Sequence, residues 1–485
     1  MNIQIMNSFC TVSSENSLAH DLIRQVLTYR NNIHAEKMAL LGQIQMAKRF
    51  KNKKMHDAAI TKLKYLEANE WVCWYKNNQF PTGLLNIVKD VLLESNIPFE
   101  LKDLRNSKVS SAGLKWLNKQ YPLRYYQSEM VKLGLDNHRG VFESAVGTGK
   151  SLILSTLVYS LNTTSLIVVP SRGLVDQMYN ELVRWFGSNK VGLVETKTVR
   201  SSRKLKPIRV CTIQTLAALQ KSNDLEGAVG DIGAIFIDEI HHAGASSYLD
   251  LLPHIDHVYY RFGFTGTFLR NDGRVLDMWG FLSNVLYRYK AHQAISEGFL
   301  TPLEVKVYNL AGKRSNKYQT EYDKNYCGNS ELLRKVHEIV ADAVLEDKQV
   351  LILVNKKDKA GKIFHEYLNA YAVDNAYISG DNSKETISQT IRDFNDKKIQ
   401  VLIGSSVIGE GIDVRSTDHL IMCQGGKSEI VMVQAIGRAV RLYEGKHIAY
   451  VHDFNFHNTR YMQKHLQQRV DIYKRNFECP VEFED

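Results

Sequence analysis

The sequence predicts an α/β protein: two tandem parallel-sheet domains behind a small α/β amino-terminal module. Three observations carry that expectation. From about residue 116 to 295, short apolar runs alternate with helical stretches, the pattern of a buried parallel sheet covered by helices. A glycine-rich turn, Ser144-Ala-Val-Gly-Thr-Gly-Lys150-Ser151, follows one apolar run and opens a helix-like stretch. A second set of buried-strand patterns then restarts at 349–354 and continues through 377–381 and 400–404 toward Asp453. The expected boundaries are 1–115 for an accessory module, 116–298 for the first sheet domain, and 299–485 for the second with a helical carboxy-terminal tail.

The amino-terminal module opens with a strand-like run from Ile3 to Val12, followed by helical spacing at Leu18, Leu22, Ile23, Val26 and Leu27. A long basic helical segment at about 33–68 contains the cluster Lys48, Arg49, Lys51, Lys53 and Lys54, which reads either as a solvated helix face or as a contact surface. Residues 70–81 read as a hairpin with Asn77-Asn78 at its turn, and a helix follows from Gly83 to about Ser95. Trp71 and Trp74 suit either a core or a nucleic-acid stacking platform, and Trp74 is the candidate for contact.

The turn at 144–151 points to a phosphate ligand. Gly147 and Gly149 permit a tight bend that aims backbone N–H groups, Thr148 among them, at phosphate oxygens in front of a helix N-terminus. Lys150 is spaced to reach the β- and γ-phosphates, and the Ser151 hydroxyl to ligate Mg²⁺. The phosphate-loop template begins with glycine where this chain has Ser144, so the match is partial. Downstream, Ile235-Phe-Ile-Asp238-Glu239 ends an apolar run in two carboxylates. Behind a phosphate loop, this is the pattern in which Asp238 holds Mg²⁺ through water and Glu239 polarises the attacking water. His241 and His242 follow, but no cysteine or third histidine stands at ligand spacing, which argues against zinc.

In the second half, 297–302 reads as the crossing between domains, and the polar stretch 312–330 as a surface insertion. Two further basic stretches stand out. Between 197 and 209 lie Lys197, Arg200, Arg203, Lys204, Lys206 and Arg209 with no acidic residue, suited either to a phosphate backbone or to a solvated loop. Residues 460–475 form a basic, helical stretch expected to pack back on the second domain.

The order of motifs resembles superfamily 2 helicases of the DExH type. Leu123-Arg124-Tyr-Tyr-Gln127 is similar to the Q motif, with Arg124 and Gln127 on the nucleotide and Gln127 reading the adenine edge. Pro170-Ser171-Arg172 and Thr212-Ile-Gln214-Thr215 resemble motifs Ia and Ib, which touch the nucleic-acid backbone. Thr265-Gly-Thr267 resembles motif III, which couples nucleotide to strand, and Gly409-Glu-Gly411-Ile-Asp413 resembles motif V, with Gly411 and Asp413 at the nucleotide. Gln434-Ala-Ile-Gly-Arg438-Ala-Val-Arg441 resembles motif VI, where the family places arginine fingers. Arg438 and Arg441 stand three apart, as on one face of a helix.

The resemblance implies two RecA-like domains, with ATP and Mg²⁺ between Lys150, Ser151, Asp238 and Glu239 of the first and Gln434, Arg438 and Arg441 of the second. The Trp-x-x-Trp-Tyr pattern at 71–75 and Phe-Pro-x-Gly-Leu-Leu at 80–85 are similar to phage UvsW-type branch-migration helicases, although the basic segment at 33–68 departs from them. That narrower resemblance implies 3′–5′ remodelling of forks, Holliday-type junctions and single strands of DNA in recombination, repair and replication. An RNA helicase and an ATP-gated nucleic-acid clamp remain the alternatives.

Composition fits this reading. Hydrophobic content of 44% and charged content of 24% over 485 residues are those of an ordinary globular chain. A formal net charge of +10 and a pI near 9.0 suit a polyanionic partner. The six cysteines show no close pairing, so reduced thiols in a cytoplasmic setting are expected (that of an infected bacterial host for a phage-encoded chain). No secretory leader is read at the start. Residues 151–171 carry no charge, but the polar 162–165 interrupts them, so no membrane span is expected and the chain is expected to act as a monomer.

Overall fold

The computed structural model describes every residue except 32, 69, 107–110, 116–121, 201–204, 241–247, 267–274, 356, 406–413, 415 and 485. The chain groups into two compact units, Met1–Phe142 with Ser151–Tyr287, and Glu143–Lys150 with Arg288–Asp485. Among the described residues no helix is long and apolar enough to cross a membrane.

The first seven-stranded sheet has the order Val285–Tyr289, Arg139–Ser144, Tyr260–Thr265, Ala234–Ile237, Ser165–Val169, Ile208–Thr212, Val191–Leu193. From Tyr260–Thr265 outward to Val191–Leu193 each pairing is parallel. Ser165–Val169 and Ala234–Ile237 are buried at every residue, which explains why they read as continuous apolar runs and not as alternating ones.

The amino-terminal module carries its own four-stranded sheet, ordered Gln79–Pro81, Phe9–Ser13, Asn2–Ile5, Glu100–Asp103. Helices Ser17–Val26 and Leu85–Glu94 close its core of Ile3, Cys10, Ile23, Phe80, Leu84 and Val88. Polar bonds join the module to the sheet beside it. The Asp277 carboxylate accepts the Trp74 indole N–H and the Tyr29 hydroxyl, both at 2.7 Å. The buried Arg261 guanidinium donates to Ser8 Oγ at 2.8 Å, and the Ser8 amide donates to Asp256 at 3.0 Å. Gly83 fits where nothing larger could. A Cβ there would lie 1.8 Å from the carbonyl oxygen of Trp279 in the helix Val275–Phe281.

The expected hairpin at 70–81 is corrected. Asn77 and Asn78 do turn the chain, at φ of +51° and +58°, with Lys76 and Gln79 exchanging backbone bonds across them. The flanking strands then part. Trp71–Cys73 pairs antiparallel with Thr28–Arg30, whereas Gln79–Pro81 pairs with Phe9–Ser13. Each strand has a better partner than its sequence neighbour, so the two do not form one hairpin. Between Thr28–Arg30 and Trp71–Cys73 the basic segment forms two helices, His34–Arg49 and Lys53–Ala68.

The second sheet is parallel throughout, in the order Asn375–Ile378, Val401–Gly404, Val350–Val354, His419–Cys423, Ala449–His457, Leu303–Ala311, Val481–Glu484. The stretch 312–330 is not a surface insertion. It holds a short helix, Tyr318–Tyr322, and a wide turn, Asp323–Cys327, that bury Tyr322 and Tyr326 in the core. The Tyr322 hydroxyl donates to the Cys423 carbonyl at 2.7 Å, so its polar tip is satisfied inside. Beside it, the Glu321 carboxylate accepts the amides of Arg460, Tyr461 and Met462, at the start of the helix Met462–Phe477. Burial pushes the Glu321 pKa up, but these amides and that of Ser315 outweigh it and hold the carboxyl below its usual range.

The basic carboxy-terminal stretch packs on the sheet as expected. Arg469 makes two 2.7 Å bonds to Asp453 on the strand Ala449–His457, with side chains 2% and 0% exposed, and the Tyr473 hydroxyl adds a third. Arg469→Met leaves the Asp453 carboxylate buried without its cation. It should cost ~3–5 kcal/mol of stability by denaturant titration; an unchanged midpoint would show that the pair contributes nothing net.

Nearby, His419 Nδ1 and His452 Nε2 stand 3.0 Å apart, and burial lowers the His419 pKa to about 4. The folded chain therefore holds His419 neutral, while the unfolded chain takes up its proton near pH ~6.5. Stability from this site is complete above that pH and is lost as pH falls toward 4. The unfolding midpoint should drop between pH 7 and 4.5, and drop less in His419→Gln.

Candidate functional site

The motif residues of the first sheet sit at strand ends. Arg139–Ser144 runs into the glycine turn, and the helix Lys150–Leu161 begins directly after it. Gly147 and Gly149 have φ of +89° and +87°, a region that favours glycine, so both are required by the turn itself. Ser144, the departure from the template, keeps an ordinary strand backbone. Its hydroxyl lies 2.5 Å from Thr148 Oγ1, which also donates to the Ala145 carbonyl at 2.6 Å. A serine thus closes the loop from inside where the template has glycine. Lys150 Nζ donates to the Ser144 carbonyl at 3.3 Å, which holds the ammonium over the loop that would receive a phosphate. These features fit a nucleotide triphosphate: left-handed glycines, a helix N-terminus and a cation folded across the turn.

Asp238 and Glu239 follow the buried strand Ala234–Ile237. The Asp238 amide donates to Val168, and Asp238 Oδ1 accepts the Glu239 amide at 3.1 Å. Glu239 itself has φ of +47°, a strained setting for a residue with a Cβ. Its carboxylate accepts the Gly266 amide at 3.4 Å, just beyond the buried Thr265. The acidic pair and the Thr-Gly segment are therefore joined directly, through adjacent parallel strands. Sequence spacing gave no sign of this bond, since 27 residues separate its ends.

The remaining first-sheet candidates lie on neighbouring strands. Pro170 and Ser171 lead from Ser165–Val169 into the helix Arg172–Phe186, with Arg172 exposed. Thr212 caps the helix Ile213–Lys221 by accepting the Thr215 amide at 3.2 Å, with Gln214 exposed beside it. Because Ser165–Val169, Ile208–Thr212, Ala234–Ile237 and Tyr260–Thr265 run parallel, Ser171, Thr212, Asp238 and Gly266 share one carboxyl edge of the sheet. Gln127 is buried, and its Oε1 accepts the Arg124 amide at 2.9 Å, at the start of the helix Tyr125–Asn137.

In the second unit, Gln434 and Arg438 lie on the helix Glu429–Ala439, where Arg438 Nη1 donates to the Gln434 carbonyl at 2.9 Å. Arg441 does not share that helical face. The helix ends at Ala439, and Arg441 stands on the turn beyond its cap, Val440. Thr301 fixes that turn by donating its amide to Val440 O at 2.8 Å and its hydroxyl to Arg441 O at 3.1 Å. Residues 143–150 group with this unit. Val146 occupies the space a Cβ on Gly437 would need, at 2.4 Å, and a Cβ on Gly147 would come within 3.3 Å of Arg441 Cγ. The glycine in the Gln-x-x-Gly-Arg pattern is thus required by close approach of the phosphate loop. The carboxy-terminal helix holds the start of this one, since Arg475 and Asn476 both bond the Glu429 carboxylate. Nothing in the sequence signalled that support.

Trp74 is half-buried, its ring packed against two apolar clusters and its N–H on Asp277. The described cations of the basic stretch 197–209 are paired with residues outside it. Lys197 meets Glu195, Arg200 meets Asp224, buried Arg209 makes two bonds to Asp231, and Lys206 bonds the Ser188 carbonyl. Arg203, Lys204, Thr267, Gly411, Asp413, His241 and His242 lie outside the described residues.

Comparison with known proteins agrees with this arrangement. Residues 120–270 match the family described as Type III restriction enzyme, res subunit, and residues 331–443 match the helicase conserved C-terminal domain. The chain is 26% identical over 357 residues to the ATP-dependent DNA helicase uvsW of Enterobacteria phage T4, covering 69% of each chain. It is 23% identical over 396 residues to the DNA 3′-5′ translocase XPB2 of Sulfurisphaera tokodaii, covering 73% of this chain and 85% of that one. Among solved structures, S. cerevisiae Dbp5 bound to RNA and ADP BeF3 shares the fold, with a TM-score of 0.55 and 14% identity over 76% of this chain and 90% of that one. The two tandem domain matches and the uvsW relative make this chain a superfamily 2 helicase, an ATP-hydrolysing enzyme with UvsW-like relatives.

Proposed function

We propose that the chain is an ATP-driven DNA motor that remodels forked or branched DNA, moving 3′ to 5′. The bond from Glu239 to the Gly266 amide carries this reading, because it joins the group beside the reacting water to a segment that resembles the strand-coupling motif. The names of the relatives support DNA as the track and 3′–5′ as the direction.

Phosphoryl transfer needs positioning and charge neutralisation more than covalent help. Bound Mg²⁺ supplies part of that neutralisation, with Ser151 and Asp238 as the residues to hold it. Lys150 neutralises the phosphates, and the loop amides from Gly147 to Ser151 orient them. Glu239 accepts a proton from the attacking water. Gln127 reads the adenine edge, Arg124 contacts the nucleotide, and Gly411 and Asp413 complete the nucleotide site on resemblance alone. Arg438 and Arg441 stabilise charge developing on the γ-phosphate, with Gln434 beside them; an arginine in that role is worth ~10³–10⁵ in rate. Pro170, Ser171, Arg172, Gln214 and Thr215 grip the strand backbone, a mode that reads no sequence. Thr212 and Thr265, both buried, act from behind that surface, Thr212 by capping the helix that carries Gln214 and Thr215, and Thr267 joins the set on resemblance alone.

ATP turnover measured with single-stranded, duplex, forked and four-way-junction DNA, and with RNA of equal length, tests this reading. Strong stimulation by forks or junctions, with strand displacement on the same substrates, is the expected result; stimulation by RNA alone, or without displacement, would overturn it. Lys150→Ala and Glu239→Gln should both lose turnover, while Glu239→Gln keeps ATP binding by equilibrium dialysis. Loss of binding in Glu239→Gln would remove it from the role of base.

Arg441→Ala should bind ATP almost normally yet lose at least ~10³-fold of its strand-stimulated rate. Undiminished stimulated turnover would exclude Arg441 as a finger.

A further inference from the structure

The helices His34–Arg49 and Lys53–Ala68 form an antiparallel hairpin that packs chiefly on itself. Each has 16 residues, giving an arm about 24 Å long at 1.5 Å per residue. Ala47 and Ala59 are buried within it, while Met38, Met46 and Tyr65 remain exposed. Its root is firm. Thr28–Arg30 and Trp71–Cys73 pair across its base, the ion pairs Arg30–Glu70 and Lys37–Glu67 cross there, and Tyr29 and Trp74 bond Asp277 on the helix Val275–Phe281.

Its tip is unusual in charge. Residues 34–68 hold eight Lys or Arg (37, 48, 49, 51, 53, 54, 62 and 64) against three Asp or Glu (36, 57 and 67), a difference of +5 within a chain of +10. Lys48, Arg49, Lys51, Lys53 and Lys54 crowd the turn between the helices. All are exposed, and among the described residues none makes an ion pair. At their centre Phe50 is 70% exposed, capping the first helix, and Asn52 caps the second through the Met55 amide. A cluster of unneutralised cations costs self-repulsion unless a polyanion meets it. An aromatic ring held open among them offers a base or sugar a stacking face.

We propose that this hairpin is a second nucleic-acid contact: its tip binds the phosphate backbone of a DNA arm away from the motor strand, with Phe50 against a sugar or an unpaired base. The proposal rests on the DNA reading above. An apolar groove lined by Gln43, Met55, Ala58, Ala59, Lys62 and Tyr65 runs along the flank of the arm, but the five cations stand at the turn beyond it, where a polyanion is the complementary partner.

Each phosphate neutralised on duplex DNA contributes about 0.9 to the slope of log affinity against log salt. Binding of the full-length chain to a forked DNA, followed by fluorescence anisotropy from 50 to 200 mM salt, is therefore the test. Lys48, Arg49, Lys51, Lys53 and Lys54, all changed to Gln, should lower the slope by about 2 to 4.5 and leave DNA-free ATP turnover unchanged. Changing Lys51, Lys53 and Lys54 to Arg should preserve the slope, and Phe50→Ala should weaken fork binding with the slope intact. A five-Gln variant that binds like the unaltered chain would overturn this proposal alone and leave the tip to a protein partner. An unaltered chain that binds no forked DNA would overturn the DNA reading and this proposal with it.

Discussion

Asp453 and Arg469 are withdrawn from water, and much of the second unit is arranged around keeping them together. The pair links the interior strand Ala449–His457 to the carboxy-terminal helix, and Arg469 also reaches the Gly426 carbonyl just ahead of the helix Glu429–Ala439. A buried ion pair is weak evidence for stability, but its geometry admits few alternatives. Here it fixes the register of the last helix. That register lets Arg475 and Asn476 hold Glu429, and Glu429 begins the helix bearing Gln434 and Arg438. Glu321 seats the same carboxy-terminal helix from its other end by accepting three of its opening amides.

The first unit uses the same device more sparingly. Asp277, Arg261 and Ser8 are buried polar groups whose partners come from the opposite side of the module junction, and Gly83 lets a turn meet the backbone of the facing helix. Such groups do not compensate for one another once parted, because a buried donor or acceptor left alone pays its full desolvation penalty. The amino-terminal module is therefore a structural part of the unit that carries the acidic pair, rather than a bead on a linker.

The sheets and the glycine turn were readable because their physics is local. Parallel strands buried on both faces are continuous apolar runs, and a phosphate-binding turn needs glycines where φ is positive. Ser144 looked like a flaw only because its bond to Thr148 is invisible in one dimension. What the sequence hid was long-range. Arg200 and Arg209 looked free because Asp224 and Asp231 lie 24 and 22 residues on. Residues 312–330 looked like a surface loop because tyrosine is scored as polar, yet Tyr322 and Tyr326 bury their rings once a carbonyl or packing receives them. Arg441 looked helical because spacing alone cannot show that the helix stops at Ala439. The two strands beside Asn77-Asn78 looked like one hairpin because a turn signal does not say which strand each arm will choose.

The way the basic hairpin is inserted bears on how such a chain can change over time. Arg30 and Trp71 face each other as ladder partners, so the two ends of the insertion leave the body side by side. Opposed residues in an antiparallel ladder stand roughly 5 Å apart, a gap that a two-residue turn closes. The forty residues between them can thus be lengthened, shortened or lost without disturbing a single strand of the body. That makes the arm a heritable accessory: a lineage can tune its reach and its charge while the motor beneath it is left alone.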